Sequence, residues 1–257
     1  MRSLLFVFVF IQGCLFSQEM EELNYSFNGK VYCGFVSKPK SISKKTKTIL
    51  IVHEWWGLND YSKQRAKQLS QDGFIAICVD MYGKGINVDN PKDASTLAGG
   101  FYGNSVLMYQ TFMTGFDAAI KVKGVNPTRM AAIGYCFGGS VVLNAAIHGA
   151  KLDAVVSFHG GLKTDTPEKG TLKAAILVCN GAADKFVSQE EIETFDKQMK
   201  TFNADYTFIN YPDATHAFTN PFSTETGKKF NMPIAYNEAA DKKSYTDFLN
   251  FIEKKVR

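Results

Sequence analysis

Cys136 closes a short apolar run, Met130 to Tyr135, and sits in Gly134-Tyr135-Cys136-Phe137-Gly138-Gly139, directly before the helical stretch that begins at Ser140. A nucleophile with glycine two residues before and two after it, between a strand and a helix, has the pattern of a strand-to-helix elbow. The turn strains the nucleophile and brings backbone close on both sides, so the flanking positions must lack a Cβ. At a helix N-terminus the backbone N–H groups favour a thiolate and can hold a developing oxyanion. The alternative is a buried cysteine beside glycines that merely close a βα turn.

An elbow of this kind needs an acid and then a histidine later in the chain. The apolar run Ala174 to Cys179 ends in Asn180-Gly181-Ala182-Ala183-Asp184, and Tyr206 to Tyr211 ends in Pro212-Asp213-Ala214-Thr215-His216. Asp184 and His216 therefore fall just beyond two successive strands, outside the carboxyl ends where ligands collect in open α/β sheets. A helix-capping Asp and a structural His remain the alternatives. The oxyanion donors expected are the N–H of Phe137, after the nucleophile, and a second from the loop after the third strand, where Trp55 stands. His159-Gly160-Gly161 follows the elbow in the chain and so is not that loop; it is read as a strand-end turn lining the pocket. His53 and His148 are read as structural, and the histidine spacing suggests no metal site.

The elements that must position these residues are short apolar runs alternating with helical stretches. Runs 48–53, 74–79, 130–135, 154–158, 174–179 and 206–211 have the length of strands covered on both faces, and helices are expected near 60–71, 106–122, 138–149, 188–201 and 236–255. Residues 19–38 alternate around Asn28-Gly29, an antiparallel hairpin signal. The expectation is an α/β fold: a mostly parallel twisted sheet with helices on both faces, an N-terminal antiparallel hairpin, and one domain over residues 18–257. Residues 81–105, rich in Gly and Asn, read as a long loop of the lid or binding kind.

Residues 1–17, MRSLLFVFVFIQGCLFS, have a basic start, a short apolar run and a cleavage region, as in a secretory signal peptide. Ile11-Gln12-Gly13-Cys14 offers the alternative of a lipoprotein signal with a lipid anchor at Cys14. Either way the protein is expected outside the cytoplasm, periplasmic or secreted, with no transmembrane span. The 257 residues are 45% hydrophobic and 21% charged, which excludes disorder as the main state. With 29 Lys and Arg against 25 Asp and Glu, the net charge of +4 does not suit a nucleic-acid partner. Five cysteines are too few for a disulfide scaffold.

The elbow, the segment His53-Glu54-Trp55-Trp56-Gly57-Leu58-Asn59, the Asp184 turn and His216-Ala217-Phe218 together resemble the dienelactone hydrolase family, of the α/β-hydrolase fold, over roughly residues 25–255. The resemblance implies Cys136 as nucleophile, His216 as base, Asp184 as orienting acid and Glu54 as a further carboxylate near the thiol. A carboxylate there would disfavour the free thiolate, which an oxidising compartment would otherwise attack, until substrate displaces it. Capping a helix, or pairing with Arg65, is the bland alternative for Glu54. The resemblance also implies two arginines on a substrate carboxylate, one before the elbow helix and one four residues after the histidine. Here residue 220 is Asn and residues 66–128 contain no Arg. Lys does not supply that bidentate geometry, so the clamp is missing. Trp55, Trp56, Tyr82, Phe101, Tyr102, His159 and Phe218 are expected in an aromatic pocket, with core packing as the alternative for some of them. The reading is a monomeric, cofactor-free hydrolase of a small-molecule ester, lactone or thioester, using a Cys-His-Asp triad. The alternative is a non-catalytic small-molecule binding protein of the same fold.

Overall fold

The computed structural model describes residues 20–257. The segment read as a leader, Cys14 included, lies outside the described residues. β1 (Glu21–Phe27) and β2 (Lys30–Ser37) form the expected hairpin, with Asn28 and Gly29 both at positive φ, 49° and 75°. That is the left-handed pair a two-residue turn requires and Asn-Gly tolerates best.

β3 (Thr48–Val52), β4 (Ile75–Val79), β5 (Met130–Tyr135), β6 (Ala154–Phe158) and β7 (Ala175–Gly181) are buried at every residue, and β8 (Tyr206–Tyr211) closes the far edge. The eight strands run in the order β1-β2-β4-β3-β5-β6-β7-β8, parallel from β4 to β8, with β1 and β2 antiparallel. This is the mostly parallel sheet and opening hairpin of the α/β-hydrolase fold. Because β3 is followed by β4 on one side and β5 on the other, the strand order reverses there. A crevice opens at such a reversal, at the carboxyl ends of the strands.

Side chains alternate across the sheet. Ile49 and Ile51 pack with Leu69, Phe248 and Ile252 of α1 (Asp60–Gln71) and α7 (Glu238–Lys255). Leu50 and Val52 pack on the other face with Phe112, Phe116, Val141 and Val142 of α3 (Ser105–Ala119) and α4 (Phe137–Ile147). α5 (Gln189–Thr201) joins that second layer through Phe195 and Met199 and is N-capped by Ser188, whose hydroxyl accepts from Glu191 N.

Two helices depart from the sequence expectation. Residues 81–105 are not simply a loop, because α2 (Pro91–Tyr102) occupies half of them, N-capped by Asn90 with Pro91 in its first turn. α6 (Ser223–Phe230) lies beyond the His216 turn. Each buries few residues, only Ala94 and Ala98 in α2, so neither has the wide apolar stripe that marks a helix in sequence.

Candidate active site

The elbow is held open by absence of side chains. A Cβ on Gly134 would lie 1.9 Å from the Gly138 carbonyl oxygen, and one on Gly138 would lie 2.2 Å from that of Val52. Both obstacles are backbone, so β5, the start of α4 and the end of β3 meet only because these residues are glycine. The approach leaves Cys136 at φ +53°, ψ −114°, a strained conformation for a residue with a side chain.

From that position Cys136 Sγ lies 3.0 Å from His216 Nε2, and His216 Nδ1 lies 2.8 Å from Asp184 Oδ2. The other Asp184 oxygen accepts from the Phe186 N–H at 2.8 Å. A carboxylate can only accept, so Nδ1 carries the proton and Nε2 faces the sulfur. Burial disfavours the imidazolium, but the charge on Cys136 and the Asp184 hydrogen bond outweigh it and raise the His216 pKa to about 10. Cys33, Cys78 and Cys179 are buried, and burial pushes the latter two thiols up to about 12. Among the described cysteines, Cys136 is the one at the cavity.

Glu54 follows β3 and is 2% exposed. It does not pair with Arg65, which instead bonds Asp241 and the Thr219 carbonyl. The Glu54 Oε2 accepts from Asn220 Nδ2 at 2.7 Å, and burial pushes the carboxyl up to about 7 against that bond and the charges of His216 and Arg65. His53 supports the same turn: its Nδ1 bonds the Glu54 carbonyl at 2.6 Å and its Nε2 accepts from Met81 N.

A cavity of about 470 Å³ opens over Cys136, Glu54 and His216. Its walls are Trp55, Trp56, Tyr102, Phe186, Val187, Met232 and Ile234, with Lys163 and Glu191 adding charge. Trp55 and Trp56 therefore face it. Tyr82, Phe101, His159 and Phe218, expected in the pocket, are not in its lining. Tyr82 packs behind the elbow against His53 and Phe137, and Phe218 is buried between His159 and Tyr211. The His159 ring points down onto the elbow backbone. Strand-end position identifies a neighbourhood, whereas the direction of the side chain depends on each turn's dihedrals. Tyr102, expected in the pocket, lines it; sequence reasoning missed Phe186, Met232 and Ile234, which come from segments with no pattern of their own, and missed Asn220 as the partner of Glu54. Phe137, as the first residue of α4, has an N–H without an intrahelical acceptor. Among the described residues no cluster of three or more His, Cys, Asp or Glu is placed to hold a metal ion, and no helix is long and apolar enough to cross a membrane.

Residues 33–256 match the family model described as "Dienelactone hydrolase family". A putative carboxymethylenebutenolidase of Escherichia coli (strain K12) is 26% identical over 195 residues, 71% of each chain. A probable 2-oxo-3-(5-oxofuran-2-ylidene)propanoate lactonase of Bradyrhizobium sp. is 24% identical over 217 residues, 79% of this chain and 85% of that one. Among solved structures, a dienelactone hydrolase-like promiscuous phosphotriesterase from metagenomic libraries superposes with a TM-score of 0.87 at 28% identity, covering 93% of this chain and 99% of the other. The crevice at the strand reversal, the glycine-flanked elbow and these likenesses converge: the chain belongs to the dienelactone hydrolase family and is a hydrolase of ester or lactone bonds.

Proposed function

We propose that this protein is an exported cysteine hydrolase that cleaves a carboxylic ester, lactone or thioester through an acyl-enzyme on Cys136. The observation that carries the reading is the line Cys136 Sγ, His216 and Asp184, at 3.0 and 2.8 Å. His216 Nε2 holds the proton given up by the Cys136 thiol, and the sulfur attacks the substrate carbonyl as thiolate. The developing oxyanion is held by the backbone N–H of Phe137 and of Trp55. The tetrahedral intermediate collapses with loss of the alcohol, thiol or ring oxygen, which takes its proton from His216. Water then gives its proton to His216 and its oxygen to the acyl carbon, releasing the acid and restoring the thiol. Asp184 fixes the imidazole tautomer throughout.

Glu54 is assigned the guard role: its carboxyl, held by Asn220, lines the same cavity as Cys136, and substrate entering the cavity displaces it. The walls favour an acyl group with an apolar or aromatic body, since Trp55, Trp56, Phe186, Met232 and Ile234 outnumber the charged groups. Export rests on residues 1–17, and an intact Met1 on the native protein would overturn it. Hydrolysis of p-nitrophenyl acetate, lost on treatment with iodoacetamide, tests the chemistry. Turnover unaffected by complete alkylation of Cys136 would contradict it.

A further inference from the structure

His159 lies immediately after β6, wholly buried, at φ +42°, in the left-handed region that few residues with a side chain adopt. Its Nδ1 is 3.1 Å from the backbone N–H of Cys136, which also donates to the Phe158 carbonyl at 3.0 Å. A backbone N–H can only donate, so Nδ1 must be the bare nitrogen and Nε2 must carry the hydrogen. Nε2 lies 2.8 Å from Thr219 Oγ1, and that hydroxyl is 2.6 Å from the Tyr61 hydroxyl. Arg65 donates to Tyr61 at 3.3 Å and to the Thr219 carbonyl at 2.7 Å, and is itself paired with Asp241. The same imidazole packs edge-on to the His216 ring, with centroids 5.4 Å apart. One ring thus touches the strained nucleophile through its backbone and the base through its face. Burial and the charges of His216 and Arg65 hold its pKa well below the usual histidine value, so it stays a neutral acceptor.

We propose that His159 is a positioning residue, set in its Nε2–H tautomer by the Cys136 N–H and supported at Nε2 by the Thr219 hydroxyl, that fixes the Cys136 backbone at the elbow and braces His216 in line with Sγ. The inference rests on Cys136 being the nucleophile. Without Thr219 that support is lost, and the alternative tautomer would set a ring N–H against the Cys136 N–H, so that the elbow would lose one acceptor.

The test compares His159→Ala, His159→Asn and Thr219→Val with the native full-length enzyme on p-nitrophenyl acetate, each checked for folding by circular dichroism. Asn keeps an acceptor at the place of Nδ1 and tolerates positive φ. In His159→Ala, kcat is expected to fall about tenfold with KM changed less than about threefold, and His159→Asn should recover a clear part of that loss. Thr219→Val should lower kcat about threefold or more at similar KM, because a hydrogen bond of this kind is worth a few-fold in rate. Native kcat in folded His159→Ala, or an Asn variant no better than Ala, would overturn the proposal. If His159→Ala does not fold, Thr219→Val decides alone: a reduced kcat supports the assignment and a native kcat overturns it. Undiminished turnover in Cys136→Ala would remove the nucleophile assignment itself, an outcome separate from these.

Discussion

The Asn220 amide donates to the buried Glu54 carboxyl at 2.7 Å, at the position where the resemblance implied a substrate-binding arginine. Asn220 is 6% exposed, and its own Oδ1 accepts from Phe222 N, so this side chain is occupied inside the protein. A residue whose type argued against a carboxylate clamp has a different task, holding the Glu54 carboxyl at the cavity that Cys136 also lines.

Burial pushes the Glu54 carboxyl up to about 7 from an ordinary value of 4.5. The folded state thus keeps a proton that the unfolded chain has already lost, and stability falls as pH rises from about 4.5 through about 7, by about 3 kcal/mol in all. Glu54→Gln removes that cost. Urea unfolding should find the variant about 1–3 kcal/mol more stable than native at pH 8, with the difference shrinking at pH 5. An equal difference at both values would contradict the buried, protonatable carboxyl.

The guard role makes a separate prediction about chemistry. Glu54→Gln should alter the pH dependence of Cys136 alkylation by iodoacetamide, because a charge that disfavours the thiolate is gone. An unchanged profile discards the role.

Asp184 holds the His216 tautomer and, second to the charge of Cys136 and against burial, raises its pKa to about 10. The stability this gives is complete below pH 6.5 and fades as pH rises through about 10. Asp184→Asn should lower kcat by about a hundredfold or more and shift the fading to lower pH. Steady-state kinetics and unfolding at pH 7 and 9.5 check both; a kcat within twofold of native would contradict the proposed role of Asp184.

Gly138→Ala places a Cβ 2.2 Å from the Val52 carbonyl, with backbone on both sides. The strand end or the elbow must move, so a loss of about 3 kcal/mol or more, or failure to fold, is expected in thermal denaturation. A native melting temperature would show that the elbow is not built on this contact.

Asp241 is the ionic partner of a buried arginine that also bonds Tyr61 and Thr219. Asp241→Ala should cost about 3–5 kcal/mol, because Arg65 is left buried and unpaired. Denaturant unfolding measures it, and a cost below about 1 kcal/mol would mean the pair is not what holds α1 to α7.

How much of this was legible in the sequence follows from how local each signal is. The Asn28-Gly29 turn, the strands buried on both faces and the elbow glycines each announce themselves within about ten residues. Chain order then set Cys136, Asp184 and His216 at three strand ends. α2 was hidden because its apolar face is two alanines, although Asn90, Pro91 and Asp93 form a helix start. Trp55, Trp56 and Tyr102 were legible as cavity walls, and the rest of the wall was hidden for a different reason. Met232 and Ile234 reach the site only because α6 returns the chain there, and His159 faces the elbow because of a left-handed turn that no composition rule requires of a histidine.

The central claim is the acyl-enzyme on Cys136. Mass spectrometry of the protein quenched during p-nitrophenyl acetate turnover should find one added acetyl group, mapped to the peptide carrying Cys136, and Cys136→Ala should neither carry it nor turn over above background. An unmodified Cys136 with full activity in the alanine variant would contradict the account.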